Sequence, residues 1–178
     1  SHTPRLFYWM CEKYERHIPV VVAGGIYDGA DLNHAIELGA DGVQVATRFV
    51  TTYECDASDA YKQAYIQAEK EDIVLVKSPV GMPGRAVRNA FIRQEESAAQ
   101  GAQEGIERTN TWKCYQCLEK CNPAEIPYCI TRALVNAVKG NIDQGLIFCG
   151  TNAYRARKLE HVSEVMEEFR SSAEACHS

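Results

Sequence analysis

The sequence predicts an α/β fold in which short parallel strands alternate with helices. Three observations indicate it: an apolar, β-branched run at residues 20–23, a second apolar run that begins at Gly42, and a helical pattern between them that ends near Gly39. Strands without polar alternation are typical of a parallel sheet covered by helices on both faces, so we expect the first run to be buried on both sides. A strand, a helix and a second strand in this order imply a right-handed crossover.

The further elements follow from local patterns along the chain. Residues 5–16 place apolar side chains at helical spacing, and Pro19 closes that helix. Asp28 or Asp31 can cap the helix that runs to about Leu38. The remaining predicted elements are a strand over 42–49, a helix over 56–71, a strand over 73–76, an irregular loop over 79–84, a polar helix or linker over 91–107, a helix over 129–139, a short apolar run at 146–149 and a polar helix from about 162.

This order of elements predicts two parts. Residues 1–90 carry the strand–helix units, and residues 91–178 form a helical extension with a cysteine cluster that packs on the first part. A closed (β/α)8 barrel needs eight strands in typically ~250 residues, and only two β–α units are clear here. We therefore expect either a small open sheet or the C-terminal portion of a TIM (β/α)8 barrel, its last strands and helices, and we favour the barrel.

Composition and charge exclude several classes of partner. Apolar residues make up 46% of the 178 residues and charged residues 24%, which is ordinary for a globular protein. The net charge of −5 and the lack of a lysine–arginine run argue against nucleic acid and anionic membranes. The longest apolar runs are too short to cross a bilayer, and the first residues carry no signal pattern. The uneven clustering of the eight cysteines favours a reducing cytosol, so we predict a cytoplasmic protein.

Two strand ends carry residues suited to phosphate. Gly24 and Gly25 follow the first strand, and a backbone without Cβ atoms lets its N–H groups approach an anion. Residues 44–47 end the second strand and add backbone donors and a hydroxyl, with a guanidinium next to them at Arg48. In parallel barrels, phosphate commonly binds at the ends of the seventh and eighth strands, beside a short helix N-terminus. A single Gly-Gly can be only a tight turn, but the two motifs on successive strands together favour a phosphate site.

The same residues carry a resemblance to a known family. Residues 18–26, 38–44 and 46–49 resemble the FMN-phosphate region of nitronate monooxygenases, formerly 2-nitropropane dioxygenases, and the FMN-dependent enoyl-acyl-carrier-protein reductases of bacteria share this region. The likeness covers nearly the whole chain, including residues 78–89, the cysteine region and residues 152–155.

The resemblance implies an oxidoreductase with FMN that oxidises alkyl nitronates, a small-molecule substrate, with dioxygen. An NAD(P)H-dependent enoyl-thioester reductase on the same scaffold is the alternative. Ala46 departs from the glycine of many relatives, yet alanine still supplies its backbone N–H. The residues that the resemblance places on the FMN phosphate are Gly24, Gly25, Gln44, Val45, Ala46 and Thr47.

The catalytic residue stays unknown from this sequence. The family's proposed base is a histidine in a Gly-Gly-His motif before the first strand, and this chain has no such motif. His2 lies in Ser-His-Thr without the glycines, so we expect the histidine base upstream of this chain. Isolated histidines without a partner are more typical of surface or packed positions. Those of this chain are His17, His34, His161 and His177.

Four cysteines form a candidate metal site. Cys114, Cys117, Cys121 and Cys129 follow the pattern Cys-x2-Cys-x3-Cys-x7-Cys, and thiolates at such spacing can surround a zinc ion or a 4Fe–4S cluster. FMN barrels of the dienoyl-CoA reductase type carry a cluster on a similar run, which is an analogy only. Reduced thiols that pack as small apolar side chains remain the alternative. A third function therefore stays open, a non-catalytic binding module stabilised by metal, which predicts no flavin.

Overall fold

The structure is a computed structural model, and it describes residues 3–79, 81–103, 117, 119, 121–122 and 125–176. Helices and strands are mixed along the chain, which confirms the predicted α/β class. In order, the elements are α1 (Thr3–Tyr14), β1 (Val21–Ala23), α2 (Gly29–Glu37), β2 (Gly42–Gln44), α3 (Thr47–Val50), α4 (Asp59–Ile66), β3 (Ile73–Lys77), β4 (Pro83–Val87), α5 (Ala90–Gln103), α6 (Ile130–Val138) and α7 (Val162–Cys176). Within these residues, we find no helix with the length and apolar character that a membrane crossing requires.

The first sheet is the predicted parallel pair. Strands β1 and β2 pair in parallel with Val22 opposite Val43, and α2 connects them. A capping box begins α2: the Asp28 carboxylate accepts from the Asp31 N–H, and the Asp31 carboxylate accepts from the Asp28 N–H. This satisfies amides that an uncapped helix leaves open. The helix ends just before Gly39, whose φ of +93° suits glycine.

Two predictions about these strands are wrong. Strand β1 is not buried on both faces: Val21 is 57% exposed, because among the described residues only β2 pairs with this strand and no second layer covers it. Strand β2 ends at Gln44 instead of continuing to residue 49. Its partner β1 ends at Ala23, so the chain leaves the sheet there and turns into α3.

The second sheet contains a strand that the sequence did not predict. Strands β3 and β4 form an antiparallel hairpin with Ile73 opposite Val87 and Lys77 opposite Pro83. The irregular loop predicted over 79–84 is therefore wrong at its C-terminal end. Proline is tolerated at the first residue of an edge strand, where its missing N–H costs no ladder hydrogen bond, so Pro83 begins β4. The turn itself contains Gly81 with a φ of +92°.

The core consists of two apolar clusters. One surrounds Tyr65 and Ile147, and the other surrounds Phe91 and Leu146, with exposures from 0% to 9%. Each cluster combines a residue of β4, Val87 or Ala86, with side chains from beyond residue 91. The short apolar run predicted at residues 146–149 thus lies at the centre of the molecule. The division into residues 1–90 and 91–178 stays a prediction.

Helix α7 packs closely on α2. A Cβ atom at Gly29 would lie 1.8 Å from the Ser172 hydroxyl oxygen, so only glycine allows the two helices to approach this far. The Gly29 N–H donates to a Glu168 carboxylate oxygen at 3.2 Å. A parallel bridge between Thr52 and Glu160 adds a contact just before α7. The C-terminal residues are thereby brought beside the first crossover and its glycine turn.

Candidate functional site

The two predicted phosphate motifs meet at one open pocket of about 150 Å³. All six residues that the sequence singled out line it: Gly24, Gly25, Gln44, Val45, Ala46 and Thr47. They meet because β1 and β2 are neighbouring parallel strands, whose carboxyl ends lie at the same edge of the sheet. A third segment also lines the pocket, and we had not predicted it as part of the site. Its residues are Gly150, Thr151 and Asn152.

The two glycines of the first motif adopt a backbone conformation that other residues rarely adopt. Gly24 and Gly25 have φ angles of +81° and +78°. A Cβ atom at either position would meet no atom of the described residues within 4 Å, chain neighbours aside. Packing therefore does not require glycine here, whereas the left-handed turn does. The space in front of the turn is open to a ligand.

Three backbone donors of this pocket have no acceptor within the part of the chain that the structure describes. The N–H groups of Gly25, Ala46 and Thr47 donate to no acceptor among the described residues. Several N–H groups around one concavity are the arrangement that binds phosphate oxygens in proteins. Because the pocket combines these donors with a turn that has no Cβ, it fits a phosphate group.

The third segment is tied to both motifs by hydrogen bonds. The Asn152 Nδ2 group donates to the Gly25 carbonyl oxygen at 2.6 Å. The Gly150 N–H donates to the Thr47 Oγ1 atom at 2.8 Å. A Cβ at Gly150 would lie 2.9 Å from that oxygen, so glycine permits the approach. One signal in the sequence pointed here: the apolar run at 146–149 ends at a glycine, as the run at 20–23 does.

Arg48 does not serve the pocket in the way that the sequence suggested. Its guanidinium is buried and bridges Glu160 at 2.9 Å and Glu168 at 3.0 Å. It also lies 4.8 Å from the centre of the Tyr27 ring. The prediction that Arg48 offers a donor to phosphate is wrong, because the two carboxylates already neutralise it. Burial lowers the pKa of Arg48, but Tyr27 and the two glutamates outweigh burial and hold that pKa above its ordinary value.

A second arginine anchors the residues that follow the glycine turn. Arg155 pairs with Asp31 at 2.7 Å and with Asp28, and its guanidinium lies 5.0 Å from the Tyr27 ring centre. Burial raises the pKa of the Asp31 carboxyl, yet the N–H groups of Tyr27 and Asp28, together with Arg155, hold that pKa below its ordinary value. Asp31 therefore stays ionised at neutral pH. Residues 152–155 thus contact both the turn and the cap of α2.

The described histidines lie at the surface. His17 contacts Asp41 at 2.7 Å and His161 contacts Glu54 at 3.1 Å, with both histidine side chains more than half exposed. His34 is also exposed. The sequence predicted surface or packed positions for these three residues, and the structure places all three at the surface. His2 and His177 lie outside the described residues.

The cysteine prediction receives no support from the part of the chain that is described. Cys114 lies outside it, the Cys117 sulfur lies 3.2 Å from the Thr131 hydroxyl oxygen, and Cys129 is buried before α6. The described residues contain no group of three or more histidines, cysteines or carboxylates that could hold a metal ion. Ligation by Cys114, Cys117, Cys121 and Cys129 stays a prediction.

Comparison with known proteins finds similar chains among probable nitronate monooxygenases. A probable nitronate monooxygenase of Staphylococcus saprophyticus is 45% identical over 78 residues, which is 44% of this chain and 22% of that protein. One from Staphylococcus aureus strain Newman is 40% identical over 77 residues, 43% of this chain and 22% of that protein. Each match thus spans less than a quarter of the relative.

Solved structures share the fold. FabK from Thermotoga maritima superposes with a TM-score of 0.63 at 25% identity, covering 92% of this chain and 48% of FabK. The enoyl reductase domain of MlnA from Bacillus amyloliquefaciens gives a TM-score of 0.74 at 16% identity, covering 98% of this chain and 54% of that one. Nitroalkane oxidase from Streptomyces ansochromogenes gives 0.63 at 21%, covering 93% of this chain and 42% of the oxidase.

The family assignment rests on a match over most of the sequence. The family model described as nitronate monooxygenase matches residues 4–171, a range that includes both strand-end motifs and the third segment of the pocket. The chain belongs to the nitronate monooxygenase family.

Proposed function

We propose that the pocket at the ends of β1 and β2 holds the phosphate of FMN, in an enzyme that oxidises alkyl nitronates with dioxygen. The observation that carries the proposal is the convergence of Gly24–Gly25 and Gln44–Thr47 on one pocket whose N–H groups at Gly25, Ala46 and Thr47 have no acceptor among the described residues. A phosphate presents several acceptor oxygens and matches these donors. Family membership supports the same cofactor.

The residues of this chain would bind and orient the cofactor. The N–H groups and the Thr47 hydroxyl would fix the phosphate, and the open left-handed turn at Gly24–Gly25 would let it approach the backbone. FMN, when bound, supplies the redox chemistry of the reaction. The proton-transfer residue stays unassigned.

We infer further that the chain forms the last strands and helices of a TIM (β/α)8 barrel. The parallel pair of β1 and β2 has the crossover of a β–α unit, and the face of β1 that exposes Val21 is apolar, as expected for a strand with further barrel layers around it. The chain spans about half of the solved neighbours that it resembles. Residues 91–178 would pack on this portion as the helical extension.

A matched pair of glycine variants tests the phosphate site. Gly25 and Gly39 both have positive φ angles and open space around the missing Cβ, but only Gly25 lines the pocket. In the full-length natural chain, Gly25→Val should abolish FMN retention because its side chain occupies the approach of the phosphate, whereas Gly39→Val should keep the flavin. Equal flavin content in the two purified variants would contradict the site.

An enoyl-thioester reductase is the second candidate. It is favoured by the likeness to FabK, which covers nearly the whole of this chain. Two assays separate the candidates: oxygen uptake with an alkyl nitronate, and NADH oxidation with a crotonyl thioester. Turnover of the thioester alone would replace our proposal by the reductase.

A binding module stabilised by metal is the third candidate. It predicts metal at Cys114, Cys117, Cys121 and Cys129, about one zinc or four irons per chain, and no flavin. Metal analysis after anaerobic purification tests the predicted metal. The visible spectrum of the full-length protein tests the absence of flavin, and a bound flavin would exclude this candidate. A cytoplasmic location and a small-molecule substrate, with no nucleic-acid partner, stay predictions.

A further inference from the structure

We infer that Gly150–Asn152 form a third arm of the phosphate site, in which Gly150 orients the Thr47 hydroxyl toward the phosphate and Asn152 positions the glycine turn. The inference rests on the proposed function, because it assigns partners to the same phosphate. It adds two positioning roles, that of Gly150 on the Thr47 hydroxyl and that of Asn152 on the glycine turn.

The hydrogen bond from Gly150 determines what the Thr47 hydroxyl can do. A hydroxyl has one proton to donate and two lone pairs to accept with. The Gly150 N–H occupies one lone pair of Thr47 Oγ1 at 2.8 Å, so the hydroxyl proton points away from that nitrogen. No acceptor among the described residues takes this proton. Thr47 and Gly150 both line the pocket, so a phosphate oxygen there can accept it in a charge-assisted bond.

Asn152 holds the part of the site that has the most backbone freedom. Two successive glycines have many accessible conformations, and holding them in one costs more entropy than for other residues. The Asn152 amide donates to the Gly25 carbonyl at 2.6 Å from a position distant in the sequence, and it restrains the turn. A turn that is already in its binding conformation gains affinity because binding then orders less of the chain.

The roles of these side chains are separable from the stability of the fold. Residues 152–155 are also held by the pairs of Arg155 with Asp28 and Asp31, which do not involve Asn152 or Thr47. Removing either side chain therefore leaves the third segment attached. Riboflavin has the same ring system as FMN without the phosphate, so its binding reports a folded flavin site in each variant.

The test is titration of flavin-free, full-length protein with FMN and, separately, with riboflavin. Quenching of the flavin fluorescence reports binding. Thr47→Val removes the hydroxyl at nearly constant shape, and Thr47→Ser keeps it. Asn152→Leu removes the amide, and Asn141→Leu makes the same change at an exposed asparagine outside the pocket. We expect Thr47→Val to weaken FMN binding roughly tenfold to a hundredfold, as for loss of a hydrogen bond to a charged group. Asn152→Leu loses a neutral hydrogen bond to the turn and should weaken FMN binding roughly threefold to tenfold. Riboflavin binding by these variants should stay within about threefold of the wild type.

The possible outcomes separate the inference from the proposed function. If wild-type protein prefers FMN to riboflavin and Thr47→Val and Asn152→Leu keep that preference, the third arm is wrong and the phosphate site stands. If the wild type itself shows no preference, the phosphate site fails and the inference fails with it. Loss of preference in Thr47→Val and Asn152→Leu, with retention in Thr47→Ser and Asn141→Leu, supports the roles assigned here.

Discussion

Replacement of Arg48 by methionine tests how the C-terminal helix is held against the strand-end pocket. The Arg48 side chain is 10% exposed and that of Glu160 is 14% exposed, so the substitution leaves the Glu160 carboxylate buried without its close cation. Lys158 lies 3.7 Å from the same carboxylate, but it is 72% exposed, so it compensates only part of the loss. Methionine keeps a long apolar side chain, so the effect reports mainly on charge.

The magnitude follows from the burial of the two partners. Breaking a buried ion pair by removing one partner costs about 3–5 kcal/mol. The Glu168 side chain is 39% exposed, so its bond to Arg48 is screened by solvent and adds no more than about 1 kcal/mol. Because Lys158 offsets part of the loss, we expect Arg48→Met to lower the free energy of unfolding by about 3 kcal/mol. For a domain of this size that corresponds to a fall in Tm of about 6–12 °C.

The assay is urea denaturation monitored by circular dichroism. An m-value that is unchanged between variants shows that the shift in midpoint reports stability. Adding Glu160→Gln to Arg48→Met removes the uncompensated charge and should recover about 2 kcal/mol, because a neutral amide is cheaper to bury than a carboxylate. An effect of Arg48→Met below about 1 kcal/mol, the range of surface pairs, would refute the reasoning. So would a double variant less stable than Arg48→Met alone.

Three further perturbations test the packing and the charges around the site. Gly145→Ala should lower the free energy of unfolding by about 1–3 kcal/mol, because the added Cβ would lie 2.6 Å from the Ala137 Cα. Gly42→Ala is the control, since a Cβ there meets only a methyl of Val21 at 3.9 Å, and thermal unfolding of the two variants compares them. Tyr65→Phe removes a buried hydroxyl and leaves the part-buried Phe148 carbonyl without this donor, so it should cost about 1–3 kcal/mol by urea denaturation. A neutral result would contradict the bond. Because the folded-state pKa of Asp31 is lowered, its stabilisation is present above the ordinary aspartate pKa and disappears as the pH falls through the folded value. Wild type and Asp31→Asn should therefore converge in stability on acidification, and a constant gap between pH ~5 and ~2 would contradict the assignment.

The sequence by itself determined the class of fold and one side of the candidate site. The strands and the turn after β1 follow from local signals. β-Branched residues favour strands, and the glycines at Gly24 and Gly25 readily adopt the positive φ angles of the left-handed turn. The cap at Asp28 is also local, because the capping box joins residues three apart. Parallel pairing of the two strands then follows from the crossover, which brings Gly25 and Thr47 to one edge.

Only the tertiary structure decided the rest, because those features depend on residues that are far apart in the chain. The sequence suggested that Arg48 could donate to the phosphate, whereas the structure pairs it with Glu160 and Glu168. The positions of these two glutamates depend on the packing of α7 against α2. The apolar run before Gly150 gave no indication of its partner until the fold brought that glycine to Thr47. Local patterns determine which backbone conformations are available, whereas long-range packing determines which charges are neutralised and which donors remain for a ligand.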